Sequence, residues 1–413
     1  MKLCKHILAT VSLLLALLIL PGCALTMHSR DIEDAHFNEK GELVVTYKDG
    51  STQTLGGAES GEGAAPSVNL TVNGTESDIA NATTKGLQSA VTVLVGGSIS
   101  GSGVIYLMDK SAGDAFIITN YHVVYDSYCG RVSNELSLYL YGAEYESLEI
   151  PATYVGGSMY YDIAVLRIED SERLRSSTAV ATVELADSDL TSVGTEAIAV
   201  GNPRGLGLSA TYGIVSVDSE SITMKAADES TTVSLRVLRI DTAVNNGNSG
   251  GGLYDACGKL IGIVNAKISS TSVENIAYAI PSNVVRAVAD NIIDHCYGTS
   301  LQTVQRPTLG ISISLKDSSA VINTETGGLS IDETVIVSSD VTSGPAKGQL
   351  KRGDVLRSIK IGDGAARSIT RSYHAVDAML DARVGDTVEI TVLRGNDSVT
   401  ASFTVTESML VSR

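Results

Sequence analysis

Apolar residues in this chain come in short runs rather than long helical stripes. Val91–Val95, Gly103–Leu107, Ala115–Thr119, Leu136–Tyr141, Ile163–Ile168, Ala197–Val200, Gly213–Val217, Val233–Ile240 and Lys259–Val264 are separated by clusters of Gly, Ser, Asn and Asp. Short, β-branched runs bounded by turn residues predict strands, and many of them in succession predict barrels or sandwiches. Two helices interrupt the pattern, one from Ile79 to Gln88 and one running from Pro281, whose fixed φ suits a first turn, to about Ile293. Nearer the start, Gly41 to Tyr47 leads through Asp49-Gly50, a type I′ turn signal, into Ser51 to Leu55, which predicts a small hairpin. At the very start, Lys2 and Lys5 precede an apolar run from Ile7 to Leu20. That run has the length of a secretory h-region and falls short of the roughly 20 residues of a membrane span.

Composition narrows the picture. A chain of 413 residues, 43% of them hydrophobic, can bury more than one core and suggests two or three domains. With no Trp and three Phe, those cores rest on Val, Ile, Leu and Ala. A net charge of −17 excludes nucleic acid, whose phosphates would be repelled. Ala24 to Glu76 is rich in Gly, Ser, Thr, Asn and Glu, the composition of a spacer. Once Cys4 and Cys23 are set aside, Cys129, Cys257 and Cys296 remain. One disulfide with one free thiol and three free thiols are both open, and no Cys/His cluster has metal-ligand spacing. The glycine-rich stretch Gly96 to Gly103 is not followed by Gly-Lys-Ser/Thr, so no nucleotide is expected.

The candidate chemistry sits at three joints between runs. Asn245-Asn246-Gly247-Asn248-Ser249-Gly250-Gly251 sets a serine among glycines, where backbone N–H groups can converge. A serine hydroxyl is nearly inert at neutral pH and needs a base, with a group to orient that base. Thr119-Asn120-Tyr121-His122 supplies a histidine at the end of one run, and Tyr161-Asp162-Ile163 an aspartate opening another. His122 would take the proton from Ser249 and return it to the leaving group, while Asp162 would hold the imidazole tautomer. The N–H groups of Gly247 and Ser249 would form an oxyanion hole, worth about 3 kcal/mol per donor. Singly, each residue has an ordinary explanation as a packed histidine, a capping aspartate or a plain loop. The order His, Asp, Ser, each beside a β-like run, carries the reading.

On these residues the chain resembles the trypsin-like serine proteases, and more narrowly the HtrA/Deg family, from about Ser77 to Glu407. Gly101-Ser102-Gly103-Val104-Ile105, Gly201-Asn202-Pro203 and Ala279-Ile280-Pro281-Ser282-Asn283 stand where the family has its flanking motifs. The resemblance implies a mostly β fold, a trypsin-like double β-barrel followed by an α+β PDZ domain. It implies a triad of His122, Asp162 and Ser249, a substrate-pairing strand at Val264, Asn265 and Ala266, and an S1 pocket lined by Ala243, Ile276 and Tyr278. The lack of an acid at Ala243 implies cleavage after small or medium aliphatic residues. Asn246 and Gly252 depart from the family, which has proline or arginine and often proline there. Proline fixes φ, so a looser oxyanion loop is expected.

The later motifs Thr308-Leu309-Gly310-Ile311, Gly344 to Leu356 and Val384 to Arg394 resemble a PDZ domain. In that reading the Leu309, Gly310 and Ile311 loop captures a peptide carboxylate while the peptide adds a strand to the sheet edge. Ile313 to Ile331 is longer and more polar than a minimal PDZ domain needs. Leu20-Pro21-Gly22-Cys23 resembles a bacterial lipobox with Cys23 as lipidation site, Pro21 being an unusual member; ordinary signal cleavage is the alternative. The expected division is a signal peptide at 1–22, a lipid-anchored linker at 23–76, a protease domain at 77–300 and a PDZ domain at 301–413. The expected function is an extracytoplasmic, ATP-independent serine endopeptidase acting on misfolded or unfolded envelope proteins, with no cofactor and no metal. Its partners would be such polypeptides, peptide C-termini and, through the anchor, the membrane, with the family's homotrimer as a further implication. The alternatives are a signalling protease for one membrane protein and an idle PDZ scaffold.

Overall fold

The computed structural model describes residues 32–37, 43–47, 52–55, 78–143, 148–268, 276–322 and 328–413. The leader, Cys23 and most of the spacer lie outside the described residues. The chain up to Gly74 is a unit of its own. Within it Leu43–Tyr47 and Thr52–Leu55 pair as the expected hairpin, with Thr46 opposite Thr52. A further strand, Ile32–Phe37, pairs on the other side of Leu43–Tyr47. The composition did not announce that strand. Three strands supply the neighbours that a lone hairpin, marginal in water, lacks.

The unit from Thr75 onward opens with two closed barrels of six antiparallel strands each. The first runs in the order Ile150–Ser158, Ile163–Ile168, Asp114–Thr119, Ser98–Asp109, Ala90–Val95 and Leu136–Leu140. The second runs Glu196–Gly201, Ser209–Lys225, Thr232–Ile240, Ala277–Pro281, Leu260–Asn265 and Gly252–Tyr254. Ile105, Ile117, Ala164 and Leu166 fill the first barrel. Their neighbours in sequence, Val104, Ile118, Ile163 and Val165, point outward and meet Ile198, Val200, Ile263 and Ile280 of the second barrel. Burial on both faces is why these strands read as continuous apolar runs instead of alternating ones. The helix Ser282–Cys296 packs Val284, Val285, Val288 and Ile292 onto this shared core, each such side chain contributing roughly 1.5–3 kcal/mol. Pro281 ends the last strand of the second barrel and caps that helix.

The remaining domain is a sheet in the order Ile313–Ile322, Leu329–Val337, Val355–Ile361, Thr387–Arg394 and Asp397–Thr404, with Arg367–Ser368 beside Val355–Ile361. Val335, Val337, Leu356, Ile359, Val388, Ile390 and Phe403 form its own core, with the short helix His374–Ala378 packed on it. Ion pairs join this domain to the barrels: Arg236 to Asp377 at 2.7 Å, Arg371 to Asp218 at 3.0 Å and Arg286 to Asp381 at 3.0 Å, and Arg236 also pairs with Asp189 on its own side of the seam at 2.6 Å. Cys129 and Cys257 are exposed and Cys296 is buried, all three as free thiols. Among the described residues no helix is long and apolar enough to cross a membrane.

Candidate active site

His122 lies in the single turn Tyr121–Val124, directly after the strand Asp114–Thr119, and Asp162 directly precedes Ile163–Ile168. Those strands are hydrogen-bonded neighbours, with Thr119 opposite Ala164, so pairing alone brings the two side chains together at one end of the first barrel. Asp162 Oδ2 accepts from His122 Nδ1 at 2.7 Å, and its Oδ1 accepts from the His122 backbone N–H at 2.9 Å. Asn265 Nδ2 donates a third bond, at 2.7 Å, to Oδ2, and Asn120 Nδ2 donates to the Asp162 carbonyl at 2.9 Å. A buried carboxylate held by three donors can only accept, so Nδ1 of His122 carries the proton and Nε2 is left as the acceptor. Asp162 takes up φ +52°, a conformation sparsely populated by residues with a side chain.

Ser249 sits on the second barrel in a turn that needs glycine at two places. Gly247 has φ +99° and a Cβ there would collide with the Asn202 carbonyl; Gly250 has φ +83° and a Cβ would collide with the Ser102 carbonyl. The carbonyls of the turn are tied down. Asn245 O accepts from the Asn248 N–H at 3.0 Å, Asn246 O from the Arg204 N–H at 2.8 Å, Gly247 O from Ser102 Oγ at 2.7 Å and Ser249 O from the Ser102 N–H at 2.8 Å. These bonds counter the loosening expected from Asn246, and Gly252 leaves room for the ring of Tyr254, which a Cβ would strike. The N–H groups of Gly247 and Ser249 donate to none of the described residues. Ser249 Oγ accepts from the Ala266 N–H at 3.1 Å, which leaves its own proton free to be given. Among the described residues no hydrogen bond joins Ser249 to His122, a gap that such sites commonly close when substrate binds.

The other sequence-derived positions are dispersed around this centre. Val264 gives its N–H to Gly251 O at 2.8 Å and accepts from the Gly250 N–H at 3.0 Å, so it serves the serine turn and not a substrate. The strand ends at Asn265, and Ala266–Ile268 winds into a 3-10 turn that Lys267 ties to Glu229 at 2.7 Å. Ala243 is exposed, with its carbonyl accepting from Thr211 Oγ1 at 2.8 Å. Ile276 is half-buried, and Tyr278 packs its ring outside the barrel beside Met159, Tyr160 and Leu235. Sequence reading missed the side-chain roles of Asn120 and Asn265 and the linking role of Ser102. An asparagine beside an apolar run has no spacing rule that marks it as a carboxylate donor.

A groove of about 200 Å³ runs between the Leu309, Gly310 and Ile311 loop, the start of Ile313–Ile322 and the helix His374–Ala378, floored by Ile359, Met379 and Ile390. Gly310 has φ +73°, and the N–H groups of Gly310 and Ile311 donate to none of the described residues. Among those residues no three His, Cys, Asp or Glu side chains gather as metal ligands.

Two closed six-stranded barrels, with a His–Asp pair on one and a serine in a glycine turn on the other, define a trypsin-like serine peptidase fold. The family model of the trypsin-like peptidase domain matches residues 101–263, and that of the PDZ domain residues 307–405. The chain is 37% identical over 329 residues to the serine protease Do-like HtrA of Lactococcus lactis subsp. cremoris (strain MG1363), covering 75% of this chain and 72% of that protein. It is 35% identical over 309 residues to the serine protease Do-like HtrA of Bacillus subtilis (strain 168), covering 73% and 62%. Of solved structures, the HtrA-type protease AlgW with tripeptide superposes with a TM-score of 0.51 at 26% identity, over 81% of this chain and 97% of that one. The chain belongs to the HtrA family of serine proteases.

Proposed function

We propose that this protein is an ATP-independent serine endopeptidase working outside the cytoplasm on unfolded or misfolded polypeptide, with a PDZ domain that captures C-termini. The observation that carries it is the pairing of His122 Nδ1 with Asp162 at 2.7 Å while the N–H groups of Gly247 and Ser249 donate to none of the described residues. Ser249 Oγ attacks the scissile carbonyl as its proton passes to His122 Nε2. The N–H groups of Gly247 and Ser249 take the developing oxyanion, and His122 returns the proton to the leaving amine. Ala243 and Ile276 admit a small or medium aliphatic residue before the cut, and Asn265 and Ala266 border its backbone. Gly310 and Ile311 receive a peptide carboxylate at the groove, whose lining of Ile313, Val376 and Met379 suits an apolar last residue. Lys2, Lys5 and the apolar run to Leu20 support export, and Cys23 supports a lipid anchor.

Ser249→Ala and His122→Ala are each expected to lower casein cleavage by roughly four orders of magnitude or more, because triad members act as a unit. A fluorophosphonate probe should label the wild type and neither variant. Casein cleavage undiminished in Ser249→Ala would remove the assignment. Mass spectrometry of the mature N-terminus tests the anchor, which an unmodified peptide starting elsewhere would rule out.

A further inference from the structure

A cavity of about 400 Å³ lies in the seam between the barrels and the PDZ domain, a size that suits a small molecule. Tyr160, Tyr161 and Leu235 from the barrels and Tyr373 and Val376 from the PDZ domain give it an apolar wall. The same wall carries three arginines, Arg236, Arg306 and Arg371, and three carboxyls, Glu220, Glu333 and Asp377. Several of these charges are already engaged. Arg236 donates to Asp377 at 2.7 Å and to Asp189 at 2.6 Å, and Glu220 lies 3.5 Å from Arg239. Arg371 gives Nη1 to Asp218 at 3.0 Å. Three groups keep capacity to spare. Arg306 donates from Nη1 to the Tyr161 hydroxyl at 2.8 Å and pairs with no carboxylate among the described residues. Arg371 is only 8% exposed, yet its buried Nε has no hydrogen-bond partner, because Glu333 Oε1 stands 3.7 Å away, beyond bonding reach. Glu333 takes the Ser372 N–H on Oε2 at 2.6 Å, while its Oε1 accepts from none of the described residues. A buried donor without a partner is costly, so one facing a cavity points to something that binds there.

We propose that this seam cavity binds a free α-amino acid with an aromatic side chain. Its carboxylate goes to the arginine side of the wall, at Arg371 Nε and Arg306, its ammonium to Glu333 Oε1 and its ring among the tyrosines. A lone anion would meet Glu220, Glu333 and Asp377, and a lone cation the three arginines; a zwitterion satisfies both signs at once. The 3.7 Å between Arg371 Nε and Glu333 Oε1 suits a carboxylate and an ammonium carried on one carbon, as in an α-amino acid. Because the wall comes from the barrels and the PDZ domain together, the site exists only while the two are joined.

The test is a ligand-observed NMR titration of the full-length Ser249→Ala protein with L-phenylalanine, 3-phenylpropionate, which lacks the ammonium, and phenethylamine, which lacks the carboxylate. Phenylalanine should bind with a Kd of about 1 mM or tighter. Each of the other two should bind ~10-fold more weakly or worse. Glu333→Gln should weaken phenylalanine ~10-fold without weakening 3-phenylpropionate. Ser234 lines the cavity and makes only one long bond, to Thr223 Oγ1 at 3.4 Å, so Ser234→Leu should fill the space and remove binding, with circular dichroism showing that the fold is kept. Glu333→Gln carries the test if Ser234→Leu does not fold. Equal affinity of phenylalanine and 3-phenylpropionate would overturn the proposal, by showing that only a carboxylate is recognised, as the Leu309 to Ile311 loop would do. Phenylalanine binding undiminished in a folded Ser234→Leu protein would overturn it by placing the ligand elsewhere, and so would an absence of binding at about 10 mM phenylalanine.

Discussion

Asp162 shows how the carboxylate proposed to orient His122 is held at the scale of single residues. Its carboxylate receives two bonds from His122 and one from Asn265, and its carbonyl one from Asn120. A hydrogen bond to a charged group contributes about 1.5–3 kcal/mol. Asn265→Ala should therefore lower kcat roughly tenfold to a hundredfold, with KM little changed, because the lost bond orients His122 rather than substrate. Steady-state hydrolysis of a peptide substrate reads both constants, and a rise in KM at constant kcat would assign Asn265 to substrate binding instead. Gly247→Ala should abolish fluorophosphonate labelling, since it forces a Cβ into the Asn202 carbonyl at φ +99°. The His122–Asp162 pairing and the tight turn at Gly247 and Ser249 were legible in the sequence because the proposed nucleophilic chemistry restricts which residue types can serve. Asn265 was not, because its role depends on a contact between strands of different barrels, 103 positions apart in the chain.

At the scale of elements, the helix His374–Ala378 serves two surfaces at once. Ala375 and Val376 line the groove beside the Leu309 to Ile311 loop, while Asp377 reaches Arg236 of the second barrel at 2.7 Å. A helix of five residues has too few internal bonds to persist alone, so its contacts hold it. Arg236 is central to them, pairing also with Asp189 and covering the Tyr373 ring at 3.4 Å. Burial holds the Asp377 carboxyl above the usual carboxylate range even though Arg236 pulls the other way. Arg236→Ala should destabilise the protein by about 3–5 kcal/mol, because it leaves a buried carboxyl without its cation. Arg236→Met combined with Asp377→Leu should recover most of the loss. Urea denaturation of the two variants beside the wild type checks this, and Arg236→Ala as stable as the wild type would show that the pair contributes little.

For the whole molecule, the seam between the barrels and the PDZ domain is charged, so it responds to pH. His374 lies in it with Nε2 4.0 Å from Asp189 Oδ2 and Nδ1 accepting from the Thr370 N–H at 3.3 Å. Burial holds this imidazole below the ordinary histidine value; Arg236 and Arg371 push the same way and Asp189 opposes them. A folded value below the unfolded one means that protonation costs the folded state. The contribution is complete above about pH 6.5 and is lost as the pH falls below it. The denaturation midpoint should thus drop between about pH 7.5 and 5.5 in the wild type and drop less in His374→Gln. Parallel curves for the two proteins would rule out His374 as the source.

Most of the strands and the His122–Asp162 pairing were readable without coordinates, for a shared reason. Runs such as Ile163–Ile168 are buried on both faces, so their composition is restricted at every position, and reactive side chains cannot be exchanged for others. The polar Ile32–Phe37 strand and the outer edge of Ile313–Ile322 were not readable, because strand pairing satisfies backbone groups that every residue type carries. Tertiary structure alone decided that Val264 braces the serine turn, that Ser102 ties it to the first barrel and that Asp377 meets Arg236. Each of those contacts joins groups far apart in sequence, and their energy depends on distance and burial, which composition does not encode.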